Sequence, residues 1–172
     1  MNPNEHITWM HEKYKEMFVQ ILNEAALLED KIDELITVCF FEHTAIKWDF
    51  VDIILGDMLL SQKILKLQRT LKTLHLEVFQ EFQQQNIAKR FNKIRKLRNI
   101  FAHSVLDTSP EYTAKKHLHE IALFNFRYNP PHAQIIFEEF DKQITDAKEI
   151  CKILENYCLQ IRNKAHTRTN SV

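Results

Sequence analysis

Three residues near the middle of this chain carry side chains suited to phosphate and proton chemistry. They are Arg98, Asn99 and His103, in the stretch Lys96-Leu97-Arg98-Asn99-Ile100-Phe101-Ala102-His103. A guanidinium stays charged at physiological pH and matches two phosphate oxygens in a planar fork. An imidazole gives or takes a proton near neutrality. Lys89, Arg90, Lys93, Arg95 and Lys96 precede them, and no acidic residue occurs from Gln83 to Leu106. A run of that composition suits a phosphate or another polyanion.

The spacing predicts a helix for these residues. Asn99 and His103, four apart, then share one face, flanked by Lys96 and Asn92. The apolar stripe reads Ile87, Phe91, Ile94, Phe101 and Val105, with Arg98 standing where another apolar residue is due. On an ideal helix Arg98 lies about 20° from the centre of that stripe, where a guanidinium is expensive to bury unless paired. It lies roughly 140° around the helix from His103 and ~7.5 Å away along the axis. One copy therefore borders a site without closing it. Two copies facing each other across a two-fold axis bring two arginines and two histidines into one cleft, so a homodimer is expected. The competing reading makes Arg98 an ion pair with an acid of the first helix and lets Asn99 and His103 cap the following loop.

The elements that position this stretch follow from composition and periodicity. A chain of 172 residues suits one domain, and 45% apolar residues with twelve Phe suit a packed globule. One Gly and four Pro are too few for a protein built of tight β-turns, which leaves a mainly helical fold. Residues 1–60 hold twelve acids against four bases, residues 61–106 two acids against ten bases, and the remainder nine of each. The basic middle faces either a polyanion or an acidic surface of its own fold or of a partner.

Asn4 is the expected cap of a long first helix with a seam of Ile7, Met10, Tyr14, Met17, Ile21, Ala25, Leu28, Ile32 and Leu35. Thr44 starts a shorter second helix through Ile46, Phe50, Val51 and Ile54, ended by Gly56 in a left-handed conformation. Ser61 caps a third helix with the stripe Ile64, Leu67, Leu71, Leu74, Val78 and Phe82. Gln83-Gln84-Gln85-Asn86 marks a bend before the basic fourth helix. After a loop at Asp107-Thr108-Ser109-Pro110, Leu118–Tyr128 and Ala133–Phe137 read as two strands around an Asn129-Pro130-Pro131-His132 turn. A last helix starts at Asp141 or Thr145, with Ile144, Ala147, Cys151, Leu154, Cys158 and Ile161 on its stripe. The expected architecture is a mainly α fold, a bundle of about five helices with a small β-hairpin before the last helix. It forms a single domain over 1–163 with a flexible tail over 164–172.

Other constellations are weaker. Three cysteines give no disulfide framework, and Cys151 and Cys158 fall on an apolar stripe as core thiols of a reducing compartment. His117, His119 and His132 lack a Cys or acid at ligand spacing, so no metal site and no cofactor are expected. With Gly56 alone there is no phosphate-cradling Gly loop. The chain shows no basic leader and no apolar run near the ~18 residues that span a membrane. A soluble cytoplasmic protein is expected.

Arg98-Asn99-Ile100-Phe101-Ala102-His103 resembles the signature of the HEPN superfamily: arginine, a polar residue, and histidine after four to six intervening positions. The preceding basic helix and the stretch from Leu55 to Ile64 are similar as well. The resemblance implies a dimeric helical domain that binds RNA, with Lys89, Arg90, Lys93, Arg95 and Lys96 as its RNA-binding cations. In many members it cuts RNA without metal, leaving a 2′,3′-cyclic phosphate and a 5′-hydroxyl. By position, Arg98 holds the scissile phosphate, His103 moves protons at the 2′-hydroxyl or the leaving 5′-oxygen, and Asn99 orients His103 or the phosphate. Val105 stands where some toxin members carry a tyrosine that a partner nucleotidyltransferase modifies, which disfavours that mode of control. The expectation is an endoribonuclease of a toxin-antitoxin or phage-defence system, with an antitoxin or partner protein. The alternative is a catalytically inactive HEPN-like module that binds RNA or protein, and a third is a bundle whose charge asymmetry serves self-association alone.

Overall fold

The computed structural model describes residues 2–41, 50–114, 118–125 and 131–169. Seven helices and a three-stranded antiparallel sheet occur among them, more than the expected five helices and two strands. The helices are α1 (Pro3–Phe40), the π-helical α2 (Val51–Leu55), α3 (Leu60–Leu74), α4 (Leu76–Gln84), α5 (Ile87–His103), α6 (Pro110–Thr113) and α7 (Phe137–Thr169). The strands are β1 (Val105–Leu106), β2 (Glu120–Phe124) and β3 (His132–Ile136), in the order β1-β2-β3. The backbone forms two compact units, Met1–Ala25 with Lys93–Ala147, and Ala26–Asn92 with Lys148–Val172.

The first unit carries the sheet and the motif. Met10, Met17 and Ile21 of α1, Ile94, Leu97 and Phe101 of α5, Ile121 and Leu123 of β2, Ile135 of β3 and Phe140 and Ile144 of α7 are all buried. Phe101 stacks on Tyr14 with ring centroids 5.9 Å apart and meets Phe140 at 5.7 Å. The stripe of α5 thus runs through Leu97 rather than Arg98, which is exposed. Leu97 follows Ile94 by three and precedes Phe101 by four, so the helix buries an apolar side chain and the guanidinium stays in water. Val105, read as the end of that stripe, instead belongs to β1 and is exposed.

The second unit is helical. Leu28, Ile32 and Leu35 of α1, Ile64, Leu67 and Leu71 of α3, Val78 and Phe82 of α4, and Leu154, Cys158 and Ile161 of α7 are buried. The expected third helix is two helices, because His75 takes φ −140° and ψ 64° and breaks it after Leu74. The cap of α3 also differs, for Gln62 Oε1 accepts the Leu59 N–H at 2.9 Å in place of any Ser61 bond. At the N-terminus of α1 the cap is Asn2 rather than Asn4: its side chain accepts the Glu5 N–H at 2.9 Å and Glu5 returns the bond to the Asn2 N–H at 2.8 Å. Thr44 and Ile46 lie outside the described residues.

Gly56 is right-handed, φ −56°, and the one left-handed non-glycine among the described residues is Asn86, φ 54°, at the α4–α5 bend. Gly56 is needed for room, since a Cβ there would sit 2.7 Å from the Asp52 carbonyl oxygen. α7 begins at Phe137, directly after β3, with Glu138 and Glu139 favouring its positive N-terminus, and it continues to Thr169 past the expected start of the tail.

Lys63 is 3% exposed and anchors the polar interior of the second unit. Its ammonium lies 2.6 Å from Asp33 and 2.9 Å from Glu29, and Thr37 donates to the Asp33 carbonyl at 2.6 Å. Burial pulls the lysine down, but the hydrogen bonds that it donates to Asp33 and Glu29 outweigh it and hold the ammonium above the usual range. Burial raises the Asp33 carboxyl, which Lys63 offsets in part. Lys63→Met, which strands a buried carboxylate, is expected to cost about 3 kcal/mol in urea unfolding at neutral pH. The Lys63 contribution is complete below the ordinary lysine range and fades as pH rises through the higher value of the folded protein. The loss caused by Lys63→Met therefore shrinks in strongly alkaline buffer.

Candidate functional site

The motif occupies the last turn and a half of α5. A helix end leaves carbonyl groups without intrahelical donors, and here two other elements supply them. The Asn125 side chain, buried just after β2, donates from Nδ2 to the His103 carbonyl. The Tyr14 hydroxyl of α1 donates to the Ser104 carbonyl at 3.3 Å. Asn125 is fixed in turn by its backbone N–H, which bonds the Pro131 carbonyl at 2.8 Å across the β2–β3 connection. The backbone of His103 is therefore pinned, while its side chain is exposed.

Arg98 is exposed and donates from Nη1 to Asn99 Oδ1 at 3.2 Å. Among the described residues it has no acidic partner, so the reading of an intramolecular ion pair does not hold for it. Asn99 is half-buried and steadies the guanidinium, not the imidazole. No hydrogen bond joins Arg98 or Asn99 to His103 among the described residues, although Asn99 and His103 are four apart on one helix. The fork is thus steadied by Asn99, with no hydrogen bond to the imidazole among the described residues.

The five expected RNA-binding cations are not equivalent. Lys89, Lys93 and Lys96 are exposed, Arg95 is half-buried, and Arg90 pairs with Glu149 at 2.7 Å. Lys93 and Lys96 border a groove of about 280 Å³ lined also by apolar Leu97, Ile100, Ile135 and Ile136 and by Gln134, Glu139 and Gln143. Two ammonium groups and two amides among apolar side chains can hold a phosphodiester and the sugar beside it.

Among the described residues no group of three or more His, Cys, Asp or Glu could hold a metal ion. His117 lies outside them. His132 instead faces Asp107, Nδ1 to Oδ2 3.3 Å. Burial, and then Cys158, push the Cys39 thiol up to about 12, which removes it as a nucleophile at neutral pH. No helix among the described residues is long and apolar enough to cross a membrane. The roles of Asn125, Tyr14 and Asp107 have no signal in the sequence, where Tyr14 reads as part of an apolar seam and Asp107 as part of a loop, because each acts on a residue far away in the chain. No protein-family model matches the chain, and no curated protein and no solved structure matches it.

Asn125→Ala is expected to lower stability by about 1–3 kcal/mol, the usual cost of an orphaned buried polar group. Hydrogen exchange should speed up at Val105, Leu106 and Asp107 more than at the amides of α3. Iodoacetamide at pH 8 is expected to spare Cys39 in the native protein and to label it in urea, read by mass spectrometry of the peptide.

Proposed function

We propose that this protein is a HEPN-type endoribonuclease that works as a dimer, cutting RNA without a metal ion through Arg98 and His103, in a toxin-antitoxin or phage-defence setting. The observation that carries this reading is the state of Arg98, solvent-exposed, free of acidic partners among the described residues and steadied by Asn99 beside it. An arginine kept for packing or for an internal ion pair does not stand that way. Arg98 holds the non-bridging oxygens of the scissile phosphate and meets the charge that grows there as the pentavalent state forms. His103 exchanges a proton with the reacting oxygens. Two copies bring the Arg98 of one protomer to the His103 of the other, which answers the separation of the two groups on a single helix. Lys93 and Lys96 draw the backbone along the groove beside the site.

Lys93 and Lys96, without an acidic partner among the described residues, favour a second reading as well, a catalytically inactive module that binds RNA or an acidic partner protein through the face they share. The two separate on turnover. In EDTA the purified protein is expected to cleave RNA to fragments ending in 2′,3′-cyclic phosphate, with Arg98→Ala and His103→Ala each slower by roughly 10²–10³-fold. Salt-sensitive RNA binding with no cleavage, weakened as much by Lys93→Ala as by His103→Ala, selects the binding module. Cleavage unchanged in both site variants removes the assignment of the site.

A further inference from the structure

A second acid–base pair lies in the same unit as His103. Val105 is in register with Phe124, and Phe124 with His132, so these three side chains stand in a row across the exposed face of the sheet. Asp107 follows Val105 by two and its N–H continues the ladder to the Ala122 carbonyl at 2.8 Å, which puts its side chain on that same face. There its Oδ2 lies 3.3 Å from His132 Nδ1, while Oδ1 accepts the Ser109 N–H at 2.9 Å. The carboxylate is held from both ends, with its side chain 12% exposed against 52% for His132. The imidazole packs on Phe124 with centroids 5.0 Å apart. With Nδ1 engaged, Nε2 on the far side of the ring has no hydrogen-bond partner among the described residues. Asp107, Ser109, Glu111, Tyr112, Phe124 and His132 line a cleft of about 530 Å³, large enough for a nucleotide.

The cleft is linked to the motif through Asn125. Asn125 bonds the His103 carbonyl with its side chain and the Pro131 carbonyl with its backbone, and Pro131 precedes His132. Two strand spacings separate Val105 from His132, on the order of 10 Å, and Val105 lies two residues beyond His103. Cleavage of RNA to a cyclic phosphate needs a base and an acid in one step. His103 of one protomer fills one of the two roles at a time, so a second imidazole, the partner's His103 or another of the same chain, fills the other.

We infer that His132, oriented by Asp107, is a second catalytic residue that takes the 2′-hydroxyl proton while His103 protonates the leaving oxygen. The inference rests on the reading of Arg98 and His103 as an RNA-cleaving site. The O2′–P bond forms as the proton of O2′ passes to His132 Nε2. The P–O5′ bond breaks as the imidazolium of His103 gives its proton to O5′, and Arg98 faces the charge on the non-bridging oxygens. The products are a 2′,3′-cyclic phosphate and a 5′-hydroxyl, and the two imidazoles reset by exchanging protons with water. Among the described residues, the titratable groups that line the cleft with His132 are Asp107, just after β1, and Glu111 and Tyr112 from α6. Burial, then Glu120 and Asp107, hold the Tyr112 phenol above its usual range, so it remains neutral and does not compete as a base.

Two substrates separate the roles: an oligoribonucleotide, and uridine 3′-(4-nitrophenyl phosphate), whose leaving group departs without an acid. His132→Gln and His132→Asn are expected to lose roughly 10²-fold or more on both and to flatten the acid limb of the kcat/KM profile against pH. His103→Ala should be slow on the oligoribonucleotide and recover most of its rate on the aryl ester. Asp107→Asn should fall between wild type and His132→Gln, with an unchanged circular dichroism spectrum. Wild-type rate and pH profile in both His132 variants, with Arg98→Ala and His103→Ala inactive, overturns the role of His132 and leaves the RNA-cleaving reading intact. No cleavage of either substrate by the wild type, or full activity in every variant, overturns both.

Discussion

The last carbonyls of an α-helix have no donor of their own, and α5 ends where its chemistry begins. The fold answers with two side chains from distant parts of the chain, Asn125 on the His103 carbonyl and Tyr14 on the Ser104 carbonyl. Tyr14 also stacks on Phe101, one turn earlier in α5 and at the centre of the apolar packing of that unit. The same contacts that close the helix thus join it to α1 and to the sheet. A helix end left to water would fray, and His103 would lose a defined backbone position. Held this way, its side chain can stay exposed without being ill-placed.

Two cations, Lys63 in the second unit and Arg98 in the first, are treated in opposite ways. In the second unit Lys63 is buried and surrounded by Asp33 and Glu29, so its charge is spent inside the fold. In the first unit Arg98 is left in solvent with the amide of Asn99 beside it and no acidic partner among the described residues. Taking a charge out of water is costly unless partners replace the water. A cation kept outside without acidic partners retains its capacity to bind an anion from solution. Arg90 and Lys96, six residues apart in one basic run, divide on the same line: Arg90 is paired with Glu149, and Lys96 borders an open groove.

Much of the helical skeleton was legible because long apolar periodicities leave few alternatives. The seam of α1 from Met10 to Leu35 is buried nearly as spaced, and the bend at Gln83–Asn86 falls where the polar run lies. The errors sit where one residue decides between neighbouring options. Leu97 and Arg98 are adjacent, either completes a plausible stripe, and the cost of burying a guanidinium settles it. His75 breaks a stripe whose spacing alone continues unbroken. β1 is two residues long and exists only because β2 lies beside it, so no local pattern could announce it. In the candidate site the motif was readable as a word. Asn125, Tyr14 and Asp107 were not, since their roles arise from contacts across 22, 90 and 25 residues of sequence.

The direct passage from β3 into α7 reaches beyond the site. A three-stranded sheet has two outer strands whose unpaired backbone groups invite pairing with another chain. β1 offers two residues to such an intruder, and β3 offers five before Phe137 turns into helix, with Lys93 and Lys96 bordering the groove alongside it. Short edges and nearby charge discourage the stacking of sheets between molecules. A chain with twelve phenylalanines, some of them exposed each time it folds, gains from having so little strand edge on which an aggregate can grow.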